Sequence, residues 1–390
     1  MRRSTPLMPT LRVSDCVAAV PPISELPFPL QEGTSRVRKY YFARNGVWEA
    51  ARLAGLKAGD EVLMPYYTSG IEVEALEQWG AIPVFYHITN NLEPDFDDVK
   101  NKITTRTRMF YLIHYFGFAQ PLDQVRELCH RYGLILFEDN ALGYLSADQH
   151  ARPLGSTGDF GLLCPRKTLP LPHGGLMVIN NEKYIPATYP PQRHPSYYST
   201  LGETWSLLLR ARIARGGVGG ATAAAFKNHF IPAGKKIFAR MGATHTESGG
   251  AEFSKEKTDW GMSPLSEHLL YRYNAREIIR IRREHYQMLT NEFRKTKSLS
   301  IELLFPDLPP HACPLEYMII VRDIRALTQA LRDARVEGGL HWWWQKPQQI
   351  GGNDEVAKKL LTRGILLPIH QNLTTDDIKR IAEVIRDAVR

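Results

Sequence analysis

Cysteine is scarce in this chain. The 390 residues hold four, Cys16, Cys129, Cys164 and Cys313, far apart and without a CxxC pair. That spacing excludes a zinc-ribbon site and a disulfide framework, and no metal site is expected. It fits a reducing, cytoplasmic setting. No apolar run approaches the 18 residues of a membrane-spanning helix. The apolar stretch after Met1-Arg2-Arg3 is too short for a signal peptide. There is no internal repeat. The one glycine-rich run, Gly216 to Ala225, follows no strand, which excludes a phosphate loop or a dinucleotide fingerprint. Charge of one sign is not concentrated either. The net charge is +8, and a run such as Arg280-Ile281-Arg282-Arg283 reads as a solvated helix face rather than a nucleic-acid surface.

What is present is an alternation of apolar strands and helical segments. At about 150 residues per domain the length suggests two or three domains. Residues 1–35 are proline-rich and read as an arm wrapping the surface or a partner subunit. Strands are expected at Glu61–Met64, Ile82–Tyr86, Met109–His114, Leu134–Phe137, Phe160–Leu163 and Leu176–Ile179. Helices are expected at Gly46–Leu56, Ile71–Trp79 and Leu122–Tyr132. These strands are apolar throughout rather than alternating, as in a sheet buried on both faces. Strands separated by helices imply a mainly parallel sheet, with ligands beyond the carboxyl ends of the strands. Residues 36–258 then form a large domain, in which 187–258 has weak patterning and reads as an insertion or mobile region. Residues 259–390 read as a smaller α+β domain entered by one long amphipathic helix, Leu265–Thr296.

Three features carry chemistry. Glu138-Asp139 closes a buried strand at the mouth of the sheet. Strand-end acids bind metals, act as bases, cap helices or pair with a protonated ring nitrogen. Lys167 stands 28 residues after Asp139, inside Cys164-Pro-Arg-Lys-Thr-Leu-Pro-Leu-Pro-His-Gly-Gly175. Prolines and a Gly-Gly turn would hold such a lysine rigid enough for Schiff-base chemistry. Asn45-Gly46 begins a helix, and a helix start is either an anion site or simply capped by Asn45. His114 is either a site residue or a satisfied strand-end histidine. Glu72 either contacts substrate or opens a helix. His341 with Trp342-Trp343-Trp344 either lines a substrate mouth or packs as a cluster.

Taken in order, these features resemble the DegT/DnrJ/StrS sugar aminotransferases, as an outlying branch. The resemblance runs through Gly59-Asp60-Glu61-Val62-Leu63-Met64-Pro65, Ala81-Ile82-Pro83-Val84-Phe85 and Thr105-Arg106-Thr107-Arg108. It continues through His114-Tyr115-Phe116-Gly117, Leu154-Gly155-Ser156-Thr157-Gly158-Asp159-Phe160, Lys167-Thr168-Leu169 and Gly174-Gly175. It closes on Leu367-Pro368-Ile369-His370-Gln371-Asn372-Leu373-Thr374.

The resemblance implies a type I pyridoxal-phosphate (PLP) transferase fold, with a seven-stranded-type sheet and a smaller α+β domain. It implies that Lys167 carries PLP as a Schiff base and shuttles a proton, and that Asp139 pairs with the pyridine nitrogen. Asn45, Gly46 and Val47 take the place of the phosphate-binding turn, where the family usually reads Ser-Gly-Thr. Cys164 takes the place of a phosphate-binding serine if the segment before Lys167 is two residues shorter. Tyr67 is the candidate for stacking on the cofactor. Leu142 stands where the family often has glutamine, and His173 where it usually has an acid. His114, His173 and His341 are the candidates for substrate contact. The implied activity is transfer of an amino group from glutamate or glutamine to a keto-sugar, nucleotide-linked, in a homodimer with interface sites. Dehydratases of the family replace the lysine with histidine, so Lys167 favours transamination. The departures leave two alternatives open, another PLP reaction on a non-sugar amine and a regulatory protein without catalysis.

Overall fold

A computed structural model describes residues 3–33, 35–225, 253–295, 300–340 and 354–389. Seven strands form the main sheet: β1 Val37–Tyr40, β2 Glu61–Pro65, β3 Ile82–Tyr86, β4 Thr107–Ile113, β5 Ile135–Asn140, β6 Phe160–Leu163 and β7 Gly175–Ile179. Their order is β1-β7-β6-β5-β4-β2-β3. The pairs among β2 to β6 are parallel, and β7 runs antiparallel to both β6 and β1. Every residue of β2, β6 and β7 is buried. This is why those segments carry no polar alternation. A second sheet, β8 Ile301–Leu303, β9 Glu316–Val321, β10 Gly339–Leu340 and β11 Gly364–Pro368, is antiparallel in the order β10-β11-β9-β8.

Glycines set how closely the layers approach. A Cβ on Gly175 would lie 2.2 Å from Ala43 Cα, so only glycine lets the backbone before the Arg44–Leu53 helix cross β7. A Cβ on Gly46 would meet Leu162 Cδ1 at 2.7 Å and Met177 Cβ at 3.1 Å. Gly46 therefore serves helix-to-sheet packing.

Several expectations need correction. The long helix expected at Leu265–Thr296 is two, Pro264–Leu270 and Ala275–Lys295. Asn274 explains the break, since its Oδ1 accepts from the Glu277 amide at 3.1 Å and caps the second helix. Within the weakly patterned 187–258 stretch lies a 19-residue helix, Tyr197–Arg215, capped by Ser196. Its apolar residues are not confined to the buried side, because Tyr198, Leu201 and Trp205 lie exposed while Leu209 is buried. The rest of that stretch, 226–252, lies outside the described residues. Strand β1 was not expected, because Arg38 and Lys39 occupy its centre. An edge strand half open to water tolerates them.

The reading of Arg280 to Arg283 as a solvated face fails at Arg282. Arg280 is exposed and pairs with Glu277 and Glu284, whereas Arg282 is 1% exposed. The Arg282 guanidinium donates to the carbonyls of Pro314, Leu315 and Thr168 and to Gln371 Oε1. The arm packs on its own chain. Leu11, Leu26 and Leu30 are buried against Leu163, Leu169, Leu171 and Leu176, and Thr5 bridges to Val336.

Candidate active site

The carboxyl ends of the parallel strands open onto a cavity of about 380 Å³. Its lining comes from four places. The arm gives Leu7 and Met8, and the start of the Arg44–Leu53 helix gives Arg44 and Val47. The sheet gives Tyr111 of β4 and Asp139 of β5, and the segments after β2 and β5 give Glu72 and Leu142. The turn after β6 gives Cys164, Arg166 and Lys167.

Asp139 lies on β5, at the position before its last residue. Its Oδ2 accepts from the Tyr111 hydroxyl at 2.6 Å and its Oδ1 from the Ala141 amide at 2.8 Å. Burial pushes its carboxyl up to about 6, and the nearby Glu72 carboxylate adds to this. The two hydrogen bonds and the Lys167 charge pull the other way. Glu72 is itself held in place. Its carboxylate accepts from the Thr68 and Ser69 hydroxyls and from the Ser69 amide. Glu72 stands in the first turn of the Ile71–Trp79 helix, as one of its readings expects, and it also lines the cavity.

Lys167 sits in a single helical turn, Pro165–Thr168. Its backbone amide donates to the Cys164 carbonyl at 3.0 Å. The next carbonyl, Thr168 O, accepts from Arg282 at 3.1 Å and from Gln371 Nε2 at 2.9 Å. The turn is thereby tied to the loops beside β9 and β11. Glu316, at the start of β9, is also buried, and burial pushes its carboxyl up to about 7 against the opposing pull of Lys167 and then Arg282.

The other expected residues divide. Val47 and Cys164 line the cavity. The Cys164 thiol donates to the Gly174 carbonyl at 3.7 Å, and burial pushes it up. Asn45 does not cap its helix. The N-cap position is Ala43, and the Asn45 amide donates to the Lys257 carbonyl at 2.7 Å. Neither Asn45 nor Gly46 is among the lining residues. Tyr67 is fully buried in the main core, its ring 5.4 Å from that of Tyr115, and it is not on the cavity wall.

His114 is a satisfied strand-end histidine. Its Nδ1 accepts from the Gln120 amide at 3.1 Å, so the neutral ring donates from Nε2 to Glu138 at 3.0 Å. Glu138 also accepts from the amides of Gly155, Thr157 and Gly158. Burial alone would raise Glu138, but the His114 hydrogen bond and the Gly155 and Gly158 amides hold it below the usual carboxylate range. The neighbouring acids of one strand thus split into a structural Glu138 and a cavity-facing Asp139. His173 is buried and stacked on Tyr41 at 4.2 Å, away from the lining, and burial followed by Arg166 pushes it down to about 3. His341 and Trp342 to Trp344 lie outside the described residues.

Sequence reasoning missed Tyr111, Arg44 and Arg166. Tyr111 sits mid-strand and looks like core. The two arginines adjoin Asn45 and Lys167, and only the fold turns them to the same wall.

The DegT/DnrJ/EryC1/StrS aminotransferase family profile matches residues 46–195 and 273–386. The chain belongs to this family. GDP-perosamine synthase of Vibrio cholerae is 34% identical over 134 residues, 34% of this chain and 36% of that protein. The dTDP-3-amino-3,4,6-trideoxy-alpha-D-glucose transaminase of Micromonospora megalomicea subsp. nigra is 29% identical over 186 residues, 44% of this chain and 50% of that protein. The chain therefore aligns with a third to a half of these curated relatives. Among solved structures, the aminotransferase TlmJ from Streptoalloteichus hindustanus superposes with a TM-score of 0.68 at 18% identity, covering 99% of this chain and 98% of that one. GDP-4-keto-6-deoxymannose-3-dehydratase, solved with a trapped PLP-glutamate geminal diamine, gives 0.63 at 14% identity, covering 98% and 100%. At these identities the likeness establishes the fold.

Proposed function

We propose that this protein is a PLP-dependent aminotransferase that moves an amino group from glutamate or glutamine to a nucleotide-linked keto-sugar. The observation that carries this reading is Lys167 and Asp139 on one cavity at the carboxyl ends of the parallel strands. The residues present fit the cofactor. Asp139 is a buried acid whose charge is poorly compensated by the protein, as a site for a ring cation requires. The family relatives support the substrate class, since their names include a GDP-perosamine synthase and dTDP- and UDP-linked sugar aminotransferases.

When bound, PLP supplies the carbonyl that exchanges the amino group and a ring that delocalises the electron pair released there. The chain does the rest. Asp139 would pair with the ring nitrogen, and Tyr111 and the Ala141 amide fix the direction in which Asp139 points. Lys167 Nζ would hold the cofactor covalently and would move the proton at the reacting carbon. Arg282 and Gln371 are positioning residues, holding the Lys167 turn through Thr168 O. Leu7, Met8, Val47, Leu142 and Leu162 wall the cavity with apolar surface and exclude water.

The test is a half-reaction. Purified protein loaded with PLP is mixed with each of a panel of amino acids while its near-visible absorbance is followed. Loss of the band with glutamate or glutamine, with one equivalent of keto acid released, is expected. No response to any amino donor would remove transamination.

We further infer a homodimer. Tyr198, Leu201 and Trp205 fall on one face of the Tyr197–Arg215 helix and are 84%, 61% and 53% exposed, an apolar surface of the kind that subunits cover. Light scattering should return twice the chain mass of 44.4 kDa, and a monomer at micromolar concentration would contradict this.

A further inference from the structure

The cavity is lined by groups of both signs, Asp139 and Glu72 with Lys167, Arg44 and Arg166. Asp139 feels the charge of Glu72 and accepts from Tyr111. Arg44 feels the like charge of Arg166, with Glu74 and then Cys164 pulling the other way. Arg44 is held with its guanidinium 4.1 Å above the centroid of the Phe42 ring, itself part of the lining. Arg166 approaches from the exposed rim. Burial, and then the charge of Arg166, pull the Arg44 guanidinium down to about 10. Like charges lining one cavity disfavour each other, and an anion bound there offsets that cost.

The groups that the family resemblance assigns to a phosphate are weak here. The Asn45 amide is engaged by the Lys257 carbonyl, Gly46 packs on the sheet, and Val47 brings no side-chain donor. The Cys164 thiol is directed to the Gly174 carbonyl and is a poor donor in any case. Two guanidiniums, with their fixed forks of N–H donors, suit a phosphate monoester better than the lost hydroxyls do.

We propose that Arg44 and Arg166 form a two-arginine clamp for the phosphate of the cofactor, in place of hydroxyl donors. The clamp rests on the PLP reading above and deepens it. A dipolar ligand that carries a ring cation for Asp139 and a phosphate dianion for the arginines matches the two kinds of charge that line the cavity. The same pairing explains how the chain can lack the serine and threonine of the phosphate turn and keep the site.

The test compares PLP with pyridoxal, which lacks the phosphate. Both are titrated into the full-length apoprotein by fluorescence quenching, in wild type, Arg44→Gln, Arg166→Gln and the double variant. Each single substitution should weaken PLP about tenfold, and the double about a hundredfold. Pyridoxal should bind all four within about twofold, which also shows that the cavity is intact. Inorganic phosphate should raise the melting temperature of wild-type apoprotein and not that of the double variant. The Arg44→Lys/Arg166→Lys pair keeps the charge and should recover part of the preference for PLP. PLP binding with the same PLP-to-pyridoxal ratio in all variants would overturn the clamp and leave the PLP reading standing. A wild-type protein that binds neither compound would overturn both.

Discussion

Lys167→Ala is expected to lose amino transfer by about 1,000-fold or more, since it removes both the covalent anchor and the group that moves the proton. The turn itself should survive. Its backbone atoms are held from the Lys167 amide to the Cys164 carbonyl and from Arg282 and Gln371 to Thr168 O, and alanine keeps those bonds. The variant should therefore fold, melt near the wild-type temperature and still take up PLP without covalent attachment. Single-turnover measurement with glutamate and with glutamine checks the rate. A variant that keeps more than about a tenth of the activity would place the proton transfer on another residue.

Asp139→Asn is expected to separate cofactor affinity from stability. In the folded apoprotein the Asp139 carboxyl is pushed up to about 6 from an ordinary value of 3.8. The native state thus holds this proton more tightly than the unfolded chain does. The stability it contributes is fully present below pH 3.8 and is lost as the pH rises through about 6. A shift of that size corresponds to roughly 3 kcal/mol. Asparagine carries no charge and keeps the geometry, with Oδ1 accepting from the Ala141 amide and Nδ2 donating to the Tyr111 oxygen. Apo Asp139→Asn should consequently be more stable than wild-type apoprotein at pH 8, by up to about 3 kcal/mol, and about equal to it near pH 4. Its affinity for PLP should fall about a hundredfold or more, because the ring cation loses its partner. Urea unfolding at the two pH values and a PLP titration check both halves. Unchanged PLP affinity would remove Asp139 from the cofactor site, and an unchanged stability at pH 8 would show that its charge is already compensated.

The sheet was legible because burial on both faces leaves a plain trace, an unbroken apolar run. Phe160–Leu163 was delimited correctly on that ground. Ile82–Tyr86 was delimited correctly too, as an apolar run in the edge strand β3, where only Tyr86 is buried. Strand β1 left no such trace, since an edge strand can carry Arg38 and Lys39. The Tyr197–Arg215 helix was hidden by its exposed aromatics, which break the periodicity that marks a core-facing helix. The break before Ala275 was present in the sequence as Asn274, a helix-start signal inside an apparently continuous pattern. At the site, the pairing of Asp139 with Lys167 could be read from strand ends and from the family resemblance. The separate roles of Glu138 and Asp139 followed only once β5 fixed which way each points. Asn45, Gly46 and Tyr67 occupy the expected positions in the chain, yet the Asn45 side chain serves a carbonyl, Gly46 permits a close layer contact and the Tyr67 ring fills the core. Local pattern identifies the loop that borders a cavity. Which side chain of that loop faces inward is decided by packing, and here it turned Arg44 rather than Asn45 to the wall.

Reduction of the PLP-loaded protein with borohydride, followed by digestion and peptide mass mapping, decides where the cofactor attaches. One modified peptide is expected, with the pyridoxyl group on Lys167, and none in Lys167→Ala. Absence of any modified peptide, or modification of a different lysine, would remove Lys167 as the attachment point.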